Sequence, residues 1–354
     1  VDALPRIASA AQALPPHRVE QEVLLEALRS YWAARHFNAG RIDQLFRSVK
    51  VGARHLALPI TDYPGLDTFE KANTAWSRVA LDLGAEAVAD ALGRAGVAPT
   101  EVDHFFFVTV TGIAVPSMEA RIANRLGMGA RLKRSPLFGL GCAAGAAGIA
   151  RAADYLRSFP DEVALLLSVE LCSLTLQRED FSVTNMIASG LFGDGAAAVV
   201  LLGARREGPR GPRVIATRSF RYPDTERIMG WDIVDSGFKV VLSAQVPQLV
   251  REHLAGNVDA FLAENGLTRG DIRHWICHTG GPKVIEAVEQ SLALAPRALQ
   301  LSWDSLERVG NLSSASVLFV LDDFLRSAAA GEGEFAVVIA MGPGFGSELV
   351  LLRW

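Results

Sequence analysis

Three residues far apart in this 354-residue chain have the types and settings of a nucleophilic site. Cys142 opens the run Gly141-Cys142-Ala-Ala-Gly-Ala-Ala-Gly148, small residues that begin a segment of helical character. A thiol there meets the positive end of a helix dipole, which favours the thiolate, the form that attacks acyl carbon. His278 stands in Ile-Cys277-His278-Thr-Gly-Gly281, where an apolar strand runs into a glycine turn. Its imidazole could take a proton from a neighbouring nucleophile, and the glycines allow another group to approach closely. Asn311, in Gly310-Asn311-Leu-Ser-Ser314, begins another helical segment. Each residue also has a plainer reading. A buried cysteine often serves as a small hydrophobe, a strand-end histidine is often merely satisfied, and an asparagine at a helix start is often an N-cap. Taken singly, these readings remain open.

An internal repeat supplies the elements that would bring the three together. Gly141 to Ser158 aligns without a gap on Gly310 to Ser327, with Gly, Ala, Asp, Leu, Arg and Ser coinciding and Tyr155 facing Phe324. At nearly the same offset, Gly96 to Phe105 matches Gly266 to Trp275. In both copies the periodicity predicts a helix (Trp76 to Ala95; Val246 to Asn265), then a short strand (Phe105 to Val110; Trp275 to Cys277). A glycine-rich opening, another helix and a β-rich run follow, Val163 to Val169 and Phe335 to Ala340. Strands alternating with helices of this length indicate α/β layers. Gly208-Pro-Arg-Gly-Pro212 is a turn-rich joint, so two units are expected, 1–205 carrying the cysteine and 206–354 carrying His278 and Asn311. Symmetry then sets Cys142 opposite Asn311, with His278 at the end of the strand equivalent to the one ending near Val108 and Thr109.

Composition narrows the classes. Half the residues are apolar and 21% are charged, as in globular proteins with a sizeable core. The net charge of −4 carries no nucleic-acid footprint. The longest stretch free of charged residues, the 16 between Arg134 and Arg151, holds four glycines and Pro136. A membrane span needs about 20 apolar residues, so none is expected. No export signal is visible behind Val1, and three cysteines are too few for a disulfide framework, so a reduced, cytoplasmic protein is expected. His274, Cys277 and His278 lack a second ligand cluster, so no metal site is expected. Gly139-Leu-Gly141-Cys-Ala-Ala144 formally fits a dinucleotide fingerprint with Glu170 as its acid, but that acid comes late and the sister opening lacks the pattern.

Five motifs in order carry a more specific likeness: Gly141-Cys-Ala-Ala-Gly145, Leu191-Phe192-Gly-Asp-Gly195-Ala-Ala-Ala198, His278-Thr-Gly-Gly-Pro282, Gly310-Asn-Leu-Ser-Ser-Ala315 and Gly342-Pro-Gly-Phe-Gly346. From about Pro5 to Trp354 the chain resembles the type III polyketide synthases, the chalcone-synthase-like branch of the thiolase fold. The resemblance implies an α/β protein of two pseudo-duplicated halves forming a five-layered αβαβα core. It implies a homodimer that condenses acyl-CoA starters with malonyl-CoA and needs no further cofactor. Cys142 then resembles the nucleophile that holds the growing chain, and His278 and Asn311 resemble the pair that binds the malonyl thioester carbonyl. Two fixed donors in a dry site suit that task, because decarboxylation puts negative charge on the carbonyl oxygen. Phe192 resembles the gatekeeper aromatic at the mouth of the CoA tunnel, and Gly344 and Phe345 belong to the loop that shapes the cyclisation cavity. Degradative thiolases use a second cysteine near the C-terminal glycine loop, and none follows Cys277 here. Ketoacyl synthases share the Cys/His/Asn set but lack the Gly-Pro-Gly-Phe-Gly loop.

Differences from the plant enzymes bear on product. Val115 replaces a methionine, Cys172 a threonine and Val240 a second gatekeeper phenylalanine, while Trp231 stands where glycine is common. With Thr111, these residues are expected to line the cavity and resemble those of bacterial members that take long acyl starters and release alkylpyrones or alkylresorcinols. A naphthalene- or phenylacetate-type product built from malonyl units alone is the alternative. Arg47, Lys50 and Arg54, after a helix expected over Val19 to Arg35, lie where the family often binds CoA phosphates, and Ser313 is grouped with them as a CoA contact. Outside condensation chemistry, a Cys/His/Asn hydrolase would release free acid and leave malonyl-CoA untouched. A silent acyl-binding protein would need no reactive thiol.

Overall fold

The computed structural model describes residues 4–33 and 39–354. The first half contains β1 (Arg6–Ala13), β2 (His17–Glu20), α1 (Gln21–Ala33), α2 (Ala39–Ser48), β3 (Ala53–Leu56), α3 (Phe69–Ala95) and β4 (His104–Thr109). It continues through α4 (Met118–Leu126), β5 (Lys133–Phe138), α5 (Ala144–Ser158), β6 (Val163–Leu171), α6 (Val183–Leu191) and β7 (Asp194–Leu202). The second half begins with β8 (Arg213–Arg221), the hairpin β9 (Met229–Val234) and β10 (Gly237–Leu242), α7 (Val246–Glu264) and β11 (Ile272–Cys277). It closes with α8 (Pro282–Leu292), α9 (Gln300–Val309), α10 (Ser316–Ser327), β12 (Phe335–Gly342) and β13 (Gly346–Arg353).

Nine strands run in the order β11-β12-β13-β8-β1-β7-β6-β4-β5. Apart from β5 the order is a palindrome, each half reading outward as one central strand, two antiparallel neighbours and a parallel outer strand. Within the nine-stranded sheet the halves join, among the described residues, where Arg6 of β1 pairs with Arg213 of β8. Alternation along the strands decides the layering. Phe106, Val108, Leu166 and Val199 from one half, with Val338, Ala340 and Val350 from the other, point inward onto α5 and α10. Phe105, Phe107, Leu165 and Val200 point outward under α3 and α4, and Val337, Ile339 and Leu351 point outward under α7 and α8. The result is the five-layered αβαβα arrangement.

Local chemistry sets the boundaries. Thr68 caps α3 by accepting from the Lys71 amide at 3.2 Å, and Gly96, at φ +64°, ends it in the left-handed region. The helix α5 can lie in the middle layer because nine of its first ten residues are small or apolar and buried, Arg151 being the exception. A Cβ at Gly145 would come within 2.6 Å of Val317 Cγ1 and would also press on the Ser314 carbonyl. The expected helix over Val19 to Arg35 starts later, at Gln21, because Val19 pairs with Arg54 between β2 and β3. Its last two expected residues, Ala34 and Arg35, lie outside the described residues. The β9–β10 hairpin turns at Asp235-Ser236 and is not among the elements that the periodicity predicts. Among the described residues no helix is long and apolar enough to cross a membrane.

Candidate active site

The two equivalent glycine openings converge at the N-termini of α5 and α10. Cys142 sits in a single 3-10 turn, Gly141–Ala143, that leads into α5, and its sulfur donates to Ser313 Oγ at 3.6 Å. Asn311 occupies the matching place before α10. Its amide donates to the Leu191 carbonyl at 2.9 Å, and its own carbonyl accepts from Gly193 at 3.0 Å. Its side-chain Oδ1 accepts from the Ser313 amide at 2.8 Å and from Ser316 Oγ at 3.3 Å. With the oxygen tied back, the amino group is the part of the carboxamide left to donate. His278 follows β11, where its amide donates to the Ile339 carbonyl at 2.9 Å. Its ring is buried, and Nδ1 has no protein partner. All three residues, with Ser313 and Phe345, line one cavity of about 50 Å³.

Burial sets the charge state of this cavity. It pushes the Cys142 thiol up to about 12, an effect reinforced by the Glu170 charge and opposed by the Ser313 hydrogen bond. It also brings the His278 imidazole down to about 4. Desolvation thus works against the thiolate that the helix dipole would favour. Burial favours the neutral thiol and the neutral imidazole, a base with room for one proton.

The tip between β12 and β13 fixes the nucleophile turn from the opposite side. Gly342 pairs with Gly346, and a Cβ at Gly342 would fall 2.5 Å from the Leu140 carbonyl and 2.6 Å from the Ala143 amide. Pro343 and Phe345 line the cavity, whereas Gly344, at φ +68°, forms the turn behind them. Trp231 and Val240 are cross-strand partners on the β9–β10 hairpin. Together with Phe192 they also line a second, largely apolar cavity of about 180 Å³ that reaches Cys172, Leu28 and Tyr63. The three side chains form the partition between the two spaces.

Several expected site residues lie elsewhere. Arg54 is 1% exposed, so it is sealed from any CoA phosphate at the surface. Ser313 lies beside the Cys142 sulfur deep in the cavity instead of at a tunnel mouth. Thr111 lines neither cavity; its hydroxyl donates to Glu170 at 2.9 Å and accepts from the Leu171 amide and the Trp76 indole. Val115 is 91% exposed, beyond both cavities of its own chain, and precedes a cis proline. Arg47 is exposed at the end of α2. Lys50 is exposed too, pairing with Glu286 at 3.3 Å and lying 4.7 Å over the Trp303 ring. Glu170, the acid of the rejected dinucleotide motif, is fully buried and accepts from Thr111, the Val110 amide and Ser314. Burial raises its carboxyl to about 7. Apart from its position at a strand end, no sequence pattern marks this buried acid behind the nucleophile.

Comparison with known proteins agrees with this architecture. The chalcone and stilbene synthase N-terminal domain family matches residues 7–205, and the C-terminal domain family matches 214–354. The chain thus belongs to the chalcone and stilbene synthases: it is a type III polyketide synthase, a condensing acyltransferase of thiolase-like α/β fold. It is 51% identical over 350 residues to a 1,3,6,8-tetrahydroxynaphthalene synthase of Streptomyces peucetius subsp. caesius, covering 98% of this chain and 93% of that one. It is 32% identical to a 3,5-dihydroxyphenylacetyl-CoA synthase of Streptomyces toyocaensis, covering 99% and 90%. The crystal structure of 1,3,6,8-tetrahydroxynaphthalene synthase from Streptomyces coelicolor A3(2) superposes with a TM-score of 0.93 at 31% identity, covering 99% of both chains.

Proposed function

We propose that the enzyme builds an aromatic polyketide from malonyl-CoA alone, of the tetrahydroxynaphthalene type. The observation that carries the chemistry is the single buried cavity shared by Cys142, His278 and Asn311. Its likeness to the Streptomyces synthase along nearly the whole chain supports the substrate and displaces the long-chain starter expected from the cavity substitutions.

In this reading His278 accepts the Cys142 proton while the sulfur attacks a thioester carbonyl. The acyl carbon–sulfur bond to CoA breaks, CoA leaves as a thiolate that takes its proton from water, and the imidazolium keeps the cysteine's proton as the donor for the next step. The next malonyl thioester points its carbonyl oxygen at the imidazole and at the Asn311 amino group. Its carboxylate departs as carbon dioxide, and the electron pair becomes an enolate held by those two donors. The enolate carbon bonds to the acyl carbon on Cys142, the sulfur leaves, and the chain, longer by two carbons, rests on CoA until it returns to the cysteine. Lys50 and Arg47 would meet the CoA phosphates at the surface. Ile113, Val115 and Phe138, exposed beside the edge strand β5, would be covered in a homodimer in the cytoplasm.

The test is incubation with malonyl-CoA alone and, separately, with malonyl-CoA plus a series of acyl-CoAs, with mass-spectrometric identification of products. An aromatic product from malonyl-CoA alone is expected. The apolar second cavity favours a rival reading in which it holds a longer acyl starter. Pyrones formed only when an acyl-CoA is supplied would establish that reading instead.

A further inference from the structure

We infer that Arg54 is a positioning residue that holds Asn311 and Phe192 in place by capping the C-terminal end of α6. The last turn of a helix leaves its carbonyls without intrahelical partners, and cations or donors placed there are favourable. Here the end of α6 offers four such carbonyls, and each is taken. Arg54 Nη1 donates to Ser189 and Phe192, each at 2.8 Å, and Nη2 donates to Gly190. The remaining carbonyl, Leu191, accepts from the backbone amide of Asn311 at 2.9 Å. One buried guanidinium and one backbone amide therefore share a single helix end. The return bond, from the Gly193 amide to the Asn311 carbonyl, closes the short bridge between the two segments.

Packing makes that bridge stiff. A Cβ at Gly310 would sit 2.7 Å from the Leu191 carbonyl, and one at Gly193 would collide with the Val309 carbonyl. Any shift of residues 189–193 is thus passed on to 309–311, and so to the carboxamide in the cavity. Phe192, whose carbonyl Arg54 holds, stands in the partition between the two cavities. The residue type fits the task. A planar guanidinium presents donors in a fixed fork, whereas an ammonium is a compact point charge and would reach fewer of the acceptors. Gln21, whose side chain accepts from Arg54 and donates to the Gly190 carbonyl at 2.9 Å, steadies the fork from α1. A residue of the first half thereby sets an active-site group of the second.

This inference rests on Asn311 acting in decarboxylation, so its test includes that residue. Three variants, Arg54→Lys, Gln21→Met and Asn311→Ala, are compared with the parent enzyme. Carbon dioxide release from malonyl-CoA, alkylation of Cys142 by iodoacetamide and the thermal midpoint are measured for each. A displaced donor can cost on the order of a hundredfold in rate, so Arg54→Lys is expected to lower kcat for decarboxylation between about tenfold and a hundredfold. The KM for malonyl-CoA and Cys142 alkylation should change less than about twofold. Gln21→Met, which leaves the guanidinium in place, should show the same split more weakly, and it carries the test if Arg54→Lys does not fold. A raised KM with unchanged kcat, or alkylation falling in step with decarboxylation, overturns the positioning role. If Asn311→Ala abolishes decarboxylation while Arg54→Lys and Gln21→Met leave it intact, the Arg54 inference alone fails. If Asn311→Ala retains decarboxylation, the reading of the site fails with it.

Discussion

Replacing Asn311 by alanine separates the two jobs of its side chain. The amino group is the donor left for substrate, while Oδ1 accepts from the Ser313 amide and Ser316 Oγ. Loss of one donor from an oxyanion site raises a barrier by about 2.7–4 kcal/mol, so carbon dioxide release should fall on the order of a hundredfold to a thousandfold. Loss of the acceptor strands a buried amide at Ser313, which costs about 1–3 kcal/mol of stability. The thermal midpoint should therefore drop by a few degrees for a chain of this size, without loss of the fold. Cys142 lies across the cavity and its sulfur bonds Ser313 Oγ, so its alkylation should persist. The assay is release of labelled carbon dioxide from malonyl-CoA, read beside alkylation and thermal unfolding on the same preparation. A folded variant that decarboxylates within a few-fold of the parent would refute the donor role and the mechanism built on it.

Other predictions concern charge, packing and the surface. The Cys142 thiol, pushed up to about 12, should be alkylated by iodoacetamide about tenfold faster per pH unit from pH 6 to 9; a rate flat over that range would instead indicate a preformed thiolate–imidazolium pair. His278, at about 4, is neutral and able to accept a proton across that range, so self-acylation from malonyl-CoA in single-turnover experiments should be nearly level with pH and fall only as pH drops toward 4. Gly145→Ala places a methyl against Val317 and the Ser314 carbonyl; overpacking of this kind costs about 1–3 kcal/mol, measurable as a lower denaturant midpoint. Lys50→Ala should raise the KM for malonyl-CoA several-fold with kcat unchanged, and an unaltered KM would remove Lys50 from CoA binding.

The internal symmetry of the chain is legible where the signal is local. Gly141–Ser158 and Gly310–Ser327 share a pattern because both must start a buried helix from a tight turn, and the turn residues are written in the sequence. The strands β6, β7, β12 and β13 are apolar on both faces because helices cover both, and such runs stand out. Thiol, imidazole and carboxamide were legible because each is tied to an element end that the repeat locates. Product choice was not read in the same way. The exchanges at Val115, Cys172 and Val240 suggested a long acyl starter, whereas the relatives are a tetrahydroxynaphthalene synthase and a dihydroxyphenylacetyl-CoA synthase.

Burial and partners across the fold could not be read from spacing. Arg54 follows two basic residues in a segment that looks like surface, yet β3 carries it beneath the end of α6, more than a hundred residues away in the chain. Thr111 and Ser313 were assigned by their neighbours in sequence, but their hydroxyls answer to Glu170 and Cys142. Trp231 and Val240 are separated in the chain, and only the hairpin makes them partners. The sequence by itself therefore determined the repeated α/β elements and the chemical groups at their ends, because backbone periodicity and turn chemistry act over a few residues. Tertiary structure alone decided which charges are sealed from water, which hydroxyls meet the nucleophile and what divides the two cavities, because those depend on contacts between segments that the chain order keeps apart.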